Sequence, residues 1–190
     1  MARRPDLETF AEEHGLKIGT IEDLISYRLQ NEKTVERISE CDFPSEHGRF
    51  RLYAYRNSLD SITHYALVKA DAEIDSSEPV LVRVHMKNTL TDALGSKESK
   101  AWPLESALKQ VAGADQGVVV VLNWADEDAV ILQWMSEHSD LVQDDIVQTK
   151  KPTDLRTDGV GAQILMDLGV RKMRLMTAPK VIHGLAGFGL

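Results

Sequence analysis

Hydrophobic and polar positions alternate with a period of two along residues 49–55, where Phe50, Leu52 and Ala54 interleave with Arg49, Arg51, Tyr53 and Tyr55. Successive side chains of a strand point to opposite faces, so this pattern predicts a half-buried β-strand. Residues 63–70 and 79–85 predict two more strands, with the acidic turn DAEIDSSE at 71–78 between them. The unbroken apolar run GVVVVL at 117–122 predicts a strand buried on both faces.

Between these stretches the period lengthens to that of a helix. Pro5 opens a first helix with Leu7, Phe10 and Ala11 on one face, and Gly15 closes it. Thr20 and Asp23 resemble a capping box ahead of a second helix carrying Leu24, Ile25 and Leu29. A helix starting at Pro103 carries Leu104, Ala107, Leu108 and Val111, and another from about Asp126 turns Val130, Ile131 and Trp134 toward the core. Trp134 is read as packing rather than as a platform for stacking a base. Residues 30–42, polar and charged, read as a linker, which sets a boundary near residue 40.

The richest stretch is PTDLRTDGVGAQILMDLGVRKMRLMT at 152–177. A loop bearing Asp154 and Arg156 leads to Asp158 as N-cap of a helix with Ile164, Leu165 and Leu168 on one face. Gly169 stops that helix in the left-handed conformation. Val170, Met173, Leu175 and Met176 then continue as a strand that ends at Thr177. Helices alternating with strands give an α/β (α+β) fold, a mixed sheet with flanking helices. GAQILMDLG lacks the spacing of a dinucleotide fingerprint.

Composition narrows the function classes. A chain of 190 residues with 43% hydrophobic content can bury a sizeable core, and no apolar run is long enough to span a bilayer. The net charge of −8 argues against nucleic-acid binding, which rests on clustered Lys and Arg, and makes a polyanion a harder guest. With Cys41 as its single cysteine the chain forms no internal disulfide, which fits a reducing, cytoplasmic compartment.

Ordered blocks of the chain resemble a known family. FPSEHGRFRLYAYRNSLDSITHYALVKAD at 43–71, EPVLVRVH at 78–85 and GAQILMDLGVRKMRLMT at 161–177 are similar to GTP cyclohydrolase II, the zinc enzyme that opens the imidazole ring of GTP at the start of riboflavin synthesis. The opening segment MARRPDLETFAEEHGLKIGTIEDLISYRL resembles the last part of 3,4-dihydroxy-2-butanone 4-phosphate synthase, which is often fused in front of a cyclohydrolase II domain. The resemblance therefore implies residues 1–39 as a helical synthase tail plus linker and 40–190 as a cyclohydrolase II-like domain. It also implies the back part of a fused two-domain protein, without the synthase's own catalytic residues.

Carrying the family's motifs over exposes departures. Its zinc-binding cysteine after the RVH strand falls at Asn88, and its Cys-x-Cys pair at Ser99 and Ala101. An amide, an alcohol and a methyl group cannot replace thiolates, so no zinc cofactor is expected, and without it nothing lowers the pKa of the attacking water. Neither Cys41, which precedes the first strand of the domain, nor His85 with Asp92 is expected to supply a metal cage; His85 reads as a hydrogen-bonded core residue. The glutamine that contacts guanine falls at Leu104. The Glu-Gly-Arg loop falls at Ala125, Asp126 and Glu127, an acidic pair expected to repel a triphosphate.

Other positions match. By resemblance Arg83, Thr177 and Lys180 belong to the GTP site, and Asp154 and Arg156 to the family's catalytic Asp-x-Arg pair, proton acceptor and nucleophile toward the α-phosphate. The alternative for Asp154 and Arg156 is a surface ion pair beside a helix start, and for Arg83 a fold-holding role. The expected function is a non-catalytic domain of a riboflavin-biosynthesis fusion protein, a pseudoenzyme that dimerises and supports or regulates the upstream synthase domain. GTP binds weakly or not at all in that reading, with no nucleic-acid or membrane partner. The alternative is a residual nucleotide triphosphate hydrolase, or a GTP-sensing module, that uses Asp154 and Arg156.

Overall fold

The computed structural model describes residues 3–19, 27, 32–69, 74–97, 102–138 and 154–177, with 154–158 described by their backbone alone. The chain divides into two units, Met1–Glu32 and Lys33–Leu190. In the first, helix α1 spans Arg4–His14, starts with Pro5 in its first turn and ends at Gly15, whose φ of 59° is left-handed. The backbone N–H of Arg3 donates to Asp6 Oδ2 at 2.8 Å, which anchors the helix start. Leu7 and Phe10 are exposed, and Ala11 is buried. The helix expected after Thr20 lies outside the described residues apart from Tyr27.

The second unit is a six-stranded mixed sheet. Its strands are β1 (Val35–Ser45), β2 (Gly48–Asn57), β3 (Thr63–Lys69), β4 (Val80–Met86), β5 (Gly117–Leu122) and β6 (Met173–Leu175), in the spatial order β1-β2-β3-β5-β4-β6. β1, β2, β3 and β5 pair antiparallel in turn, whereas β4 runs parallel to both β5 and β6. The helices are α2 (Thr89–Asp92), α3 (Leu104–Ala112), α4 (Glu127–Glu137) and α5 (Asp154–Asp167).

Alternation along the strands sorts side chains onto two cores. Val80, Val82, Val118, Val120 and Leu122 pack against Val160, Ile164 and Leu165 of α5 on one face. Phe50, Leu67, Val119 and Val121 pack against Ala107 and Val111 of α3 on the other. β5, buried at every position, contributes to both faces, as its unbroken apolar run requires. Gly117 starts β5 because a Cβ there would meet Val111 Cγ1 at 2.8 Å, so only glycine lets α3 approach this closely.

Three local expectations are corrected. Residues 35–42, read as part of a linker, belong to β1, which pairs along its length with β2 and carries a register shift between Arg37 and Ser39. Most of β1 is exposed at the sheet edge, so its charged residues are compatible with a strand and conceal it from a hydrophobicity argument. Asp158 is not an N-cap and the segment before it is not a loop, since α5 already begins at Asp154, one turn earlier. The last strand is shorter than expected, Met173–Leu175, after Gly169 turns the chain with a φ of 86°.

Candidate functional site

The two parallel crossovers position the site. β4 passes to β5 through α3 on one face, whereas β5 returns past β4 to β6 through α5 on the other. Crossovers of one hand that move in opposite directions must use opposite faces. Ligands of open α/β sheets bind in the crevice outside the carboxyl ends of such a strand pair, here β4 and β5.

Along β4, Arg83 and His85 share the α3-covered face with Leu81, two residues apart as the pleat dictates. Arg83 Nη1 donates to the carbonyl oxygen of Met176 at 2.7 Å, which ties β4 to the end of β6 next to Thr177. Burial weakens the charged form of this guanidinium and nearby Asp92 partly restores it, leaving its pKa below the ordinary arginine value. Thr177 itself is exposed.

His85 is 3% exposed, and its Nε2 lies 2.8 Å from Asp92 Oδ2, which also accepts the Asn88 N–H at 2.9 Å. A carboxylate only accepts, so Nε2 carries the hydrogen of this bond. Arg83 Nε and His85 Nδ1 are buried and have no partner among the described residues, as is the case for His64 Nε2 on β3.

Asn88 sits where the resemblance places the first zinc ligand. Its Oδ1 accepts the Leu90 N–H at 3.0 Å, capping the single turn of α2, so the side chain is committed to the backbone. An amide oxygen so engaged, beside a histidine and an aspartate bonded to each other, does not fit a zinc ion. Among the described residues, no group of three or more His, Cys, Asp and Glu is placed to hold a metal. Ser99, Ala101 and Lys180 lie outside the described residues, and of Asp154 and Arg156 only the helical backbone is described. Leu104 opens α3 and packs, partly buried, against the core of that face.

The acidic pair at 126 and 127 does not behave as expected. Asp126 is exposed, but Glu127 is 9% exposed and turns inward. Lys87 Nζ donates to its Oε2 at 2.8 Å, and Thr89 donates to Oε1 from both its backbone N–H and its hydroxyl, each at 2.7 Å. Burial pulls the pKa of Glu127 upward, but the hydrogen bonds from Lys87 and Thr89 outweigh it and hold the carboxyl below its ordinary value. Two like charges therefore do not face an incoming ligand; one of them is already neutralised.

On the loop after β5, Asn123 donates its backbone N–H to His64 Nδ1 at 3.3 Å and its side-chain amide to the Thr63 carbonyl oxygen at 2.6 Å. Trp124 Nε1 donates to the Lys87 carbonyl oxygen at 2.9 Å. Trp134 is half-buried and stacks on His138 with ring centroids 4.3 Å apart. Glu127 with Lys87 was not legible in the sequence, because 40 residues separate them and only the parallel register of β4 and β5 brings them together.

Comparison with known proteins gives consistent findings. The profile of the GTP cyclohydrolase II family matches residues 35–190. A 3,4-dihydroxy-2-butanone 4-phosphate synthase of Pseudomonas aeruginosa is 45% identical over 190 residues, which cover 100% of this chain and 51% of that protein. The riboflavin biosynthesis protein RibBA of Synechocystis sp. is 43% identical over 197 residues, covering 100% of this chain and 35% of that one. The crystal structure of RibBX, a two-domain 3,4-dihydroxy-2-butanone 4-phosphate synthase from A. baumannii, superposes with a TM-score of 0.63 at 38% identity, covering 100% of this chain and 48% of that one. The chain thus spans about half the length, or less, of the curated relatives it matches.

Proposed function

The chain belongs to the GTP cyclohydrolase II family, and we propose that it is a zinc-free, non-catalytic member that supports the assembly, or regulates the activity, of a 3,4-dihydroxy-2-butanone 4-phosphate synthase domain fused upstream. The residues before β1 are then the tail of that synthase plus a linker, and the sheet from Val35 onward belongs to the degenerate domain, which works in the cytoplasm as a homodimer. Among the described residues no helix is long and apolar enough to cross a membrane.

The observation that carries this reading is Asn88. Where the family's chemistry needs a thiolate, this side chain caps α2, and the neighbouring His85 and Asp92 are bonded to each other. Relatives that share the whole of this chain bear the names of the synthase and of riboflavin biosynthesis proteins, which supports the upstream partner. In this reading GTP binds weakly, and Asp154, Arg156, Arg83, Thr177 and Lys180 are vestiges of its site.

The test is metal content and GTP turnover measured on the full-length fused protein. The expected result is no stoichiometric zinc and no diaminopyrimidine product above background. About one zinc per chain together with ring opening would overturn the reading. Retention of Arg83 favours the second reading, a GTP-sensing or triphosphate-hydrolysing module; micromolar GTP binding abolished by Arg156→Ala would establish that one instead.

A further inference from the structure

The crevice at the carboxyl ends of β4 and β5 is bridged by the chain's own side chains. Glu127, the first residue of α4, is flanked by Asp126 and Asp128, both exposed. An acid in the first turn of a helix is stabilised there while still facing water. Glu127 instead reaches across to the loop after β4 and collects the Lys87 ammonium, the Thr89 hydroxyl and the Thr89 N–H. Two further bonds fasten the same loops, from Trp124 Nε1 to the Lys87 carbonyl oxygen and from Lys87 N–H to the Leu122 carbonyl oxygen. An ammonium, a hydroxyl and a backbone N–H converging on one carboxylate are the donors that hold an oxyanion.

We propose that Glu127 is an autoinhibitory latch, whose carboxylate occupies these donors in place of a small oxyanion and holds the first turn of α4 closed over the carboxyl ends of β4 and β5. This deepens the reading of the domain as a weak nucleotide binder by giving it a physical cause, occlusion from within rather than repulsion by an exposed acidic pair. The latch is tested without zinc, GTP or turnover, so it and that reading can fail separately.

The experiment uses the 190-residue chain as parent, Glu127→Ala, Glu127→Gln and Lys87→Ala. Inorganic phosphate is titrated by calorimetry at constant ionic strength, and exchange of the Trp124 indole N–H is followed by NMR. Removing the carboxylate should strengthen phosphate binding by about tenfold or more over the parent and speed Trp124 exchange by about tenfold. Glu127→Gln, nearly identical in shape, is read in the same way should Glu127→Ala fail to fold. Lys87→Ala should speed exchange without gaining phosphate affinity, because it opens the latch and removes a donor together. Equal phosphate affinity in parent and Glu127 variants, with or without faster exchange, would overturn the proposal and leave Glu127 as a structural ion pair.

Discussion

His85 Nε2 lies 2.8 Å from Asp92 Oδ2, with both side chains nearly withdrawn from water. Asp92 also fixes the Asn88 N–H, so one carboxylate holds the turn in which the resemblance places a metal ligand. The turn is organised by hydrogen bonds that a metal would have to break.

Asp92→Ala should therefore destabilise the domain by about 2–4 kcal/mol in urea unfolding, because it strands buried His85 and the half-buried Asn88 N–H at once. Asp92→Asn, which keeps an acceptor, should cost less. A loss below about 0.5 kcal/mol in Asp92→Ala would mean that the turn holds without this carboxylate.

Chelation should leave the melting temperature unchanged, since Asn88 is committed to Leu90 N–H rather than to a metal. The triple replacement Asn88→Cys, Ser99→Cys and Ala101→Cys should restore no GTP ring opening, because Leu104 and the inward Glu127 remain. Product formation by that variant would show that the cysteines alone were missing.

Asp167 at the end of α5 accepts Arg37 Nε and Nη2 and the hydroxyl of buried Tyr55, at 3.0, 2.7 and 2.9 Å. Burial opposes its charge, but the bonds from Arg37 and Tyr55 prevail and lower its pKa. Asp167→Ala should cost about 1–3 kcal/mol, chiefly by orphaning the Tyr55 hydroxyl, and Tyr55→Phe in that background should cost little more. If Tyr55→Phe is as harmful alone as it is beside Asp167→Ala, the two residues are not coupled.

His64 gives a pH dependence with a defined sign. Its burial pushes the pKa below the ordinary 6.5, with Asp60 partly opposing. A depressed histidine pKa means that, between the folded value and 6.5, the unfolded chain binds a proton that the folded chain refuses. Stability from this group is complete above that ordinary value and falls as pH drops through the window, by no more than about 1.4 kcal/mol per pH unit. Protonation would also cost the bond that Nδ1 accepts from Asn123 N–H. Denaturation midpoints between pH 7 and pH 5, roughly bracketing the ordinary histidine range, should decline more gently in His64→Gln. Identical slopes in parent and variant would exclude His64 as a source.

Gly117→Ala should destabilise by about 1–3 kcal/mol, the range for overpacking a filled core. Its Cβ would fall 2.8 Å from Val111 Cγ1 and 3.2 Å from the Leu81 carbonyl oxygen. Restoration of stability in the double variant with Val111→Ala would identify the α3 approach as the cause.

The strands and helices of the sheet were mostly legible because burial writes a period into the chain: two along Phe50, Leu52 and Ala54, none along GVVVVL, and nearer four along Leu104, Ala107, Leu108 and Val111. β1 was not, because an exposed edge strand is held by backbone bonds to β2 and needs no apolar face. The early start of α5 was missed because Thr153, Asp154 and Asp158 are all cap-favouring residue types and local sequence does not rank them. Asn88 and Glu127 could be singled out from the sequence, because the resemblance sets them at positions of the family's motifs. The role of Asn88 is local, since its cap on the Leu90 N–H spans two residues, whereas that of Glu127 was decided only by the fold: it became a buried partner of Lys87 because parallel β4 and β5 end side by side. Residue type sets which bonds a side chain can make, whereas the partner it meets is set by strand order and register, which local sequence does not encode.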